Sequence, residues 1–256
     1  MRAPCDLFDS MLSLTTELFE PMEHALFFEP LLAQAAVGRV LDIGSGNGAY
    51  LARLQERYPR LDCLGVELEP NIYARSAARQ RERLTFRLGS YEELSDPQSY
   101  DLVLARLVVP HLSDRRHLGS WLLPRVKPGG RLVILDADED DLQHLDELPL
   151  FSQLYRRART GLYRSPLMRL EDALRLELTS AGWTHLGTRR YQIRADRLEA
   201  KAQLYMYMRL VTEYTLRSPV PPAHAEELFS WLIDPDSDYN IRMFGMVFAP
   251  TQASDT

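Results

Sequence analysis

Lysine is almost missing from this chain: Lys127 and Lys201 are the only two in 256 residues, and arginine supplies the rest of the 30 basic side chains. Chemistry that needs a lysine amine is thereby excluded from most of the chain. Cysteine is equally scarce. Cys5 and Cys63 cannot build a disulfide framework or, by themselves, a thiolate zinc site, and Cys63, inside an apolar run, reads as a buried, reduced thiol. No apolar run approaches the roughly 18 residues that a spanning helix needs. The N-terminus mixes Asp6, Asp9 and Glu17 among its apolar residues, unlike a secretory leader. No repeat or low-complexity tract is visible, which removes solenoids. Positive charge is in deficit, 30 basic against 36 acidic residues, so no overall field draws the chain to phosphate backbones. These absences predict a cytoplasmic protein with neither membrane nor nucleic acid as partner.

What is present is ordinary globular composition, 45% hydrophobic and 26% charged. A chain of this length buries roughly three quarters of its unfolded surface. Short apolar runs at 39–43, 61–67, 84–88, 101–105 and 131–136 alternate with helical patterns such as 49–57, 71–83 and 113–126. Buried strands alternating with amphipathic helices predict a parallel sheet covered on both faces. Ahead of this unit, 7–32 is amphipathic and rich in Phe and Met. Behind it come helical stretches near 141–161 and 169–181, a strand at 184–193, helices at 199–215 and 224–232, and a last strand at 241–249. The predicted organisation is a helical lid over 1–38, a core over 39–193, and an insertion with a last strand over 194–256 completing the same domain.

The most informative segment runs from Val40 to Leu51, where a strand enters a glycine-rich turn and then a helix. The glycines permit unusual backbone angles and close approach of a ligand, at the sheet edge where such folds bind ligands. Gly44-x-Gly46-x-x-Ala49 formally satisfies the dinucleotide pattern, with Glu67 at about the right distance to hold a ribose. Three details favour S-adenosylmethionine over a nicotinamide dinucleotide. Asp42 lies two positions before the first glycine, where a carboxylate can engage an amino group. Gly48 follows Gly46 by two residues rather than three. Glu67 ends the second strand, where its two oxygens can take both ribose hydroxyls.

This stretch resembles motif I of the class I S-adenosylmethionine-dependent methyltransferases, and the resemblance continues in order. Leu64-Gly65-Val66-Glu67 is similar to the acidic end of strand two, the Gly89-Ser90-Tyr91 segment to the adenine-contacting motif, Tyr100 to Leu112 to motif IV, and Leu122 to Val133 to the helix, turn and strand that follow. It covers roughly 39–193 and, with less definition, the last strand. It implies an α/β fold, a Rossmann-like doubly wound, mostly parallel seven-stranded sheet with an N-terminal helical lid and helical insertions. It also implies S-adenosyl-L-methionine as cofactor, with Asp42, Gly44, Ser45, Gly46, Glu67, Leu68, Ser90, Tyr91 and Arg106 as the residues that hold it. One departure stands out: Ser90 occupies a position where the family often has Asp, so charge-assisted capture of the adenine amino group is lost there, leaving Tyr91 or Glu92 to contribute.

Methyl transfer from a sulfonium is an in-line displacement that positioning alone can drive, so a general base is optional. His111 is the candidate base or orienting residue; its structural alternative is a histidine that orders the loop after strand four. Arg106 has a salt bridge as its alternative. The acidic run from Asp136 to Asp141 reads as a solvated helix start rather than a magnesium site, so no metal is expected. Arg156, Arg157 and Arg159 read as a solvated face before an anion site. Phe8, Met11, Phe19, Met22, Phe27 and Phe28, with Tyr155, Tyr163, Tyr205, Tyr207 and Tyr214, read as core packing first, and collectively suggest a flat or apolar acceptor.

The leading expectation is transfer of a methyl group to an O or N atom of a small organic acceptor, aromatic or heteroaromatic, in specialised biosynthesis, by a chain that could form a homodimer. Motif IV lacks both an Asn/Asp-Pro-Pro-Tyr signature and a Pro-Cys pair, which argues against methylation of nucleic-acid bases. Protein methylation, a silent cofactor-binding scaffold and a nicotinamide-dependent oxidoreductase are the alternatives. Gly46→Val is expected to abolish cofactor binding without unfolding the chain.

Overall fold

The computed structural model describes residues 3–34, 37–95, 100–112, 114–138, 147–159, 162 and 168–251. Seven strands share one sheet: β1 (Arg39–Ile43), β2 (Asp62–Glu67), β3 (Leu84–Leu88), β4 (Tyr100–Arg106), β5 (Val126–Ala137), β6 (Trp183–Arg194) and β7 (Asn240–Pro250). Their order is β3-β2-β1-β4-β5-β7-β6. The first five pair in parallel, and β7 runs antiparallel to both β5 and β6. The sheet is therefore mostly parallel with one antiparallel hairpin, as the strand and helix pattern predicts.

Buried alternation explains why these runs are strands. Val40, Leu102, Leu104, Val133 and Leu135 belong to one core, and Leu41, Ile43, Val103, Ala105, Leu132 and Ile134 to the other. Each strand has two apolar faces and needs cover on both. The first face is covered by α3 (Ala49–Arg57), α6 (Pro149–Ala158), α8 (Leu198–Leu216) and α9 (Pro222–Ile233), the second by α5 (Arg115–Leu122) and α7 (Leu170–Ser180). Gly245 in β7 is there for space: a Cβ would lie 2.1 Å from the ring of Phe27.

The chain enters through α1 (Pro4–Glu23), with Pro4 in the first turn, where a missing N–H costs nothing. Pro21 disturbs the last turn, and a π-helical turn over His24–Phe28 leads into α2 (Glu29–Gln34). Both lysines are structural. Lys127 pairs with Asp101 at 2.8 Å, and Asp101 also accepts from the backbone of Gly38 and Arg39, which holds its carboxyl below the usual range. Lys201 donates to the backbone of Asp234 and to Ser237. Cys63 is fully buried, and that burial pushes its thiol up to about 12.

Three expectations need correction. The helix predicted over 71–83 is α4 (Pro70–Ala77), because Arg79 and Arg81 turn away to hydrogen-bond Asn47, Ala52 and Gln55 instead of continuing the helix. Strand five begins at Val126 rather than Arg131, held early by the Lys127–Asp101 pair. Asp136 and Asp138 are not a solvated helix start. Asp136, one residue before the end of β5, is fully buried, its carboxyl pushed up to about 7 by desolvation, and Asp138 is buried against Arg169 at 2.6 Å. Glu139, Asp140, Asp141 and Tyr163 lie outside the described residues.

Candidate functional site

A cavity of about 470 Å³ opens at the carboxyl edge of β1, β2 and β4. All the residues predicted from the sequence for the site border it: Asp42, Gly44, Ser45, Gly46, Glu67, Leu68, Ser90, Tyr91, Arg106 and His111. The sheet order makes this possible, since β1 lies between β2 and β4, so the turns after all three converge.

The glycine turn is built for this location. Gly44 and Gly46 adopt φ of +69° and +57°, and Gly48 follows at +74°. Ser45 N–H donates to the Val66 carbonyl at 2.9 Å, and Gly46 N–H to Glu67 Oε2 at 2.8 Å, which bonds the turn to β2. The other Glu67 oxygen accepts from Glu69 N–H at 2.9 Å. At the start of α3, Ala49 N–H is capped by Asn47 Oδ1 at 3.1 Å. The Ser45, Gly46 and Ala49 donors of the turn are thus committed to protein acceptors. This differs from a phosphate cradle, in which such N–H groups face the ligand.

The charges in the cavity are unevenly compensated. Asp42 is buried, borders the cavity, and has no hydrogen-bond partner among the described residues. Desolvation raises its carboxyl to about 8; Arg106 opposes the rise and Glu67 adds to it. Arg106 is itself committed. Its Nε donates to Glu23 Oε2 at 2.8 Å, its Nη2 donates to the Thr15 carbonyl at 3.1 Å, and its guanidinium lies 4.3 Å from the centre of the Tyr50 ring. Glu23, fully buried, also accepts from Tyr191 at 2.8 Å. Arg106 therefore borders the cavity and makes the salt bridge that was its structural alternative.

The remaining predicted residues sit at the rim. Ser90 Oγ accepts from Glu92 N–H at 3.3 Å and caps a short 3₁₀ turn, so its hydroxyl already has a structural role. Tyr91 packs edge-on against Trp121. His111 reaches solvent, yet partial desolvation and then the Arg159 guanidinium hold its ring below 6.5. Arg156 and Arg157 are exposed, as a solvated face should be, whereas Arg159 turns toward Tyr155.

Phe8, from the helical lid expected over 1–38, borders the cavity. Sequence reasoning missed the rest of that wall: Leu12 and Thr16 of α1, Asn47, Tyr50, Val108 and Leu112. The spacing of Phe8, Leu12 and Thr16 at i, i+4, i+8 marks one helix face, but nothing in the sequence says which cavity that face covers. Phe19, Phe27 and Phe28 are core residues. The Asn47 amide ties α1 in place, donating to Asp9 Oδ1 at 2.7 Å and Ser13 Oγ at 3.0 Å. Asn47→Ala should cost about 1–3 kcal/mol of stability and speed ligand dissociation, as measured by thermal denaturation and stopped-flow fluorescence. Unchanged values for both would show that α1 is held by its apolar contacts alone.

The fold is thus a doubly wound α/β sheet whose glycine turn opens beside an acidic second strand. Comparison narrows it. A family profile described as a methyltransferase domain matches residues 41–134. Over 117 residues the chain is 30% identical to trans-aconitate 2-methyltransferase of Deinococcus radiodurans, covering 45% of each chain. Among solved structures, N-methyltransferase NodS from Bradyrhizobium japonicum WM9 superposes with a TM-score of 0.53 at 16% identity, over 91% of this chain and 97% of that one. A phosphoethanolamine N-methyltransferase from Haemonchus contortus, bound to phosphomonomethylethanolamine and S-adenosylhomocysteine, gives 0.55 at 19% identity, over 87% and 52%. At these identities the structural likeness is one of fold. Residues 41–134 thus carry the sequence pattern of a methyltransferase domain, on a fold shared with methyltransferases of known structure. The chain spans less than half the length of the curated relatives first matched.

Proposed function

We propose that the chain binds S-adenosyl-L-methionine in this cavity and methylates an O or N atom of a small organic acceptor. One observation supports this above the others: Gly46 N–H and Ala49 N–H are spent on Glu67 and Asn47, while Asp42 makes no ion pair among the described residues. A pyrophosphate would meet acidic groups and few free donors. A ligand carrying an ammonium group at one end and a ribose at the other meets what it needs. Asp42 would take the ammonium, and Glu67 the ribose hydroxyls on the lone pairs its backbone donors leave free. The bound cofactor supplies an activated methyl group, which an O or N nucleophile takes by in-line displacement.

The chain's own contribution is placement and exclusion of water. Phe8, Leu12, Leu107, Val108 and Leu112 give apolar walls that suit a flat or apolar acceptor. His111 is the base candidate, because a ring held below 6.5 stays neutral, and able to accept a proton, at physiological pH. For a hydroxyl acceptor, kcat should therefore fall only below pH 6.5, and His111→Ala should lower it by about 10²-fold. An unaltered acid limb in that variant would remove His111 from the chemistry.

The acceptor class is tested by following acceptor-dependent release of S-adenosylhomocysteine with a panel of small carboxylates, phenols and amines, beside peptides and denatured protein. Turnover with a small molecule is expected. Methylation of the polypeptides alone would overturn the small-molecule assignment.

A further inference from the structure

We propose that Glu23 is a positioning residue for cofactor capture: by holding Arg106 it leaves Asp42 without an ion-pair partner, so that uptake of a ligand bearing an ammonium group expels the Asp42 proton into solvent. This rests on the cofactor assignment above and concerns residues that assignment does not use.

The geometry is a chain of three side chains on three elements. Asp42 lies one residue before the end of β1 and borders the cavity, Arg106 ends β4 beside it, and Glu23 closes α1 behind Arg106. Arg106 is the cation that acts on Asp42, yet no ion pair within 4 Å joins them among the described residues, whereas Arg106 Nε meets Glu23 Oε2 at 2.8 Å. Glu23 is locked in turn by Tyr191 of β6. From β2, Asp42 faces the carboxylate of Glu67 and the thiol of Cys63, neither of which supplies positive charge. The α1 face over the cavity carries Phe8, Leu12 and Thr16, and α3 contributes Tyr50. A carboxyl so placed keeps its proton until a cation arrives. With its carboxyl near 8 in the free protein, Asp42 is mostly protonated at pH 7, and an arriving ammonium makes the ionised form the stable one. The proton leaves to buffer.

The experiment is calorimetric titration of the whole chain at pH 7 in two buffers of different ionisation enthalpy. The probes are S-adenosylhomocysteine and 5′-methylthioadenosine, which keeps the nucleoside but lacks the amino-acid end. The wild type should release close to one proton with the first probe and none with the second. Its affinity for S-adenosylhomocysteine should rise about tenfold per pH unit below pH 7 and level off as pH approaches 8. In Glu23→Gln the freed guanidinium compensates Asp42, so proton release should fall by half or more and the pH slope should flatten, with methylthioadenosine affinity unchanged within twofold. Asp42→Asn should abolish the release. A wild type that binds S-adenosylhomocysteine without releasing protons overturns the proposal even if Glu23→Gln does not fold. Undiminished release in a folded Glu23→Gln does the same. Absence of S-adenosylhomocysteine binding would instead overturn the cofactor assignment beneath it.

Discussion

Asp42→Asn should make the ligand-free protein more stable at pH 8 while weakening its hold on S-adenosylhomocysteine. The folded chain keeps the Asp42 proton to about pH 8, against an ordinary value of 3.8 that applies once the chain unfolds. Between those values the folded state binds a proton that the unfolded state does not. The carboxyl therefore costs no stability below 3.8 and costs progressively more as pH rises toward 8, by up to about 1.4 kcal/mol per pH unit. Asp136, pushed up to about 7, adds a slope of the same sign over a shorter range. The ligand-free protein should consequently melt at lower temperature at pH 8 than at pH 5, and Asp42→Asn should remove much of that fall. Asp136→Asn should remove only the part below pH 7, and leave ligand affinity alone. Equal pH dependence in wild type and Asp42→Asn would mean that Asp42 is ionised and compensated in the free protein. A group that destabilises the fold where it meets the ligand is the expected signature of a binding residue.

Glu67→Gln should weaken S-adenosylhomocysteine and 5′-methylthioadenosine alike, by about 10–100-fold, because charge-assisted hydrogen bonds to both ribose hydroxyls become neutral ones. The fold should survive, since the amide oxygen can still accept from Gly46 N–H, now 2.8 Å from a Glu67 oxygen. The contrast with Asp42→Asn maps the ligand's direction in the cavity. Loss at position 42 should appear only for the ligand with an amino-acid end, and loss at position 67 for both. A Glu67→Gln variant with wild-type affinity for both ligands would place the ribose elsewhere. Gly46→Val is a poorer test than the sequence suggests. Its backbone sits at φ +57°, and a Cβ would already lie 3.1 Å from Leu12, so a β-branched side chain strains the turn and displaces α1 together.

The parts legible in the sequence are those set by local rules. The strands from Val40 to Ile134 announce themselves through buried runs of strand length, and the turn from Gly44 to Gly48 through glycines that positive φ requires. Asp42 and Glu67 are legible because each has a fixed offset from that turn. What was not legible depends on partners far away in the chain. Arg106 and Glu23 are 83 residues apart, and only the structure shows that the guanidinium is already taken. Asp136 looked like the first residue of a solvated acidic run, because one sequence does not reveal that β7 pairs alongside it and buries it. Phe8, Leu12 and Thr16 had a readable helical face with no readable destination. The early stop of α4 follows from Arg79 reaching the glycine turn and Arg81 reaching α3, a preference that helical periodicity does not contain.

The cavity is read as a sulfonium-nucleoside site and not a dinucleotide site. Calorimetric titration of the purified chain with S-adenosylhomocysteine, with NAD(H) and NADP(H) in parallel, separates the two. Saturable binding of S-adenosylhomocysteine at micromolar concentration or below, with no heat from either nicotinamide pair, is the predicted result. Binding of a nicotinamide cofactor in its place would contradict the reading of the Gly46–Glu67 contact, and with it the function proposed for the chain.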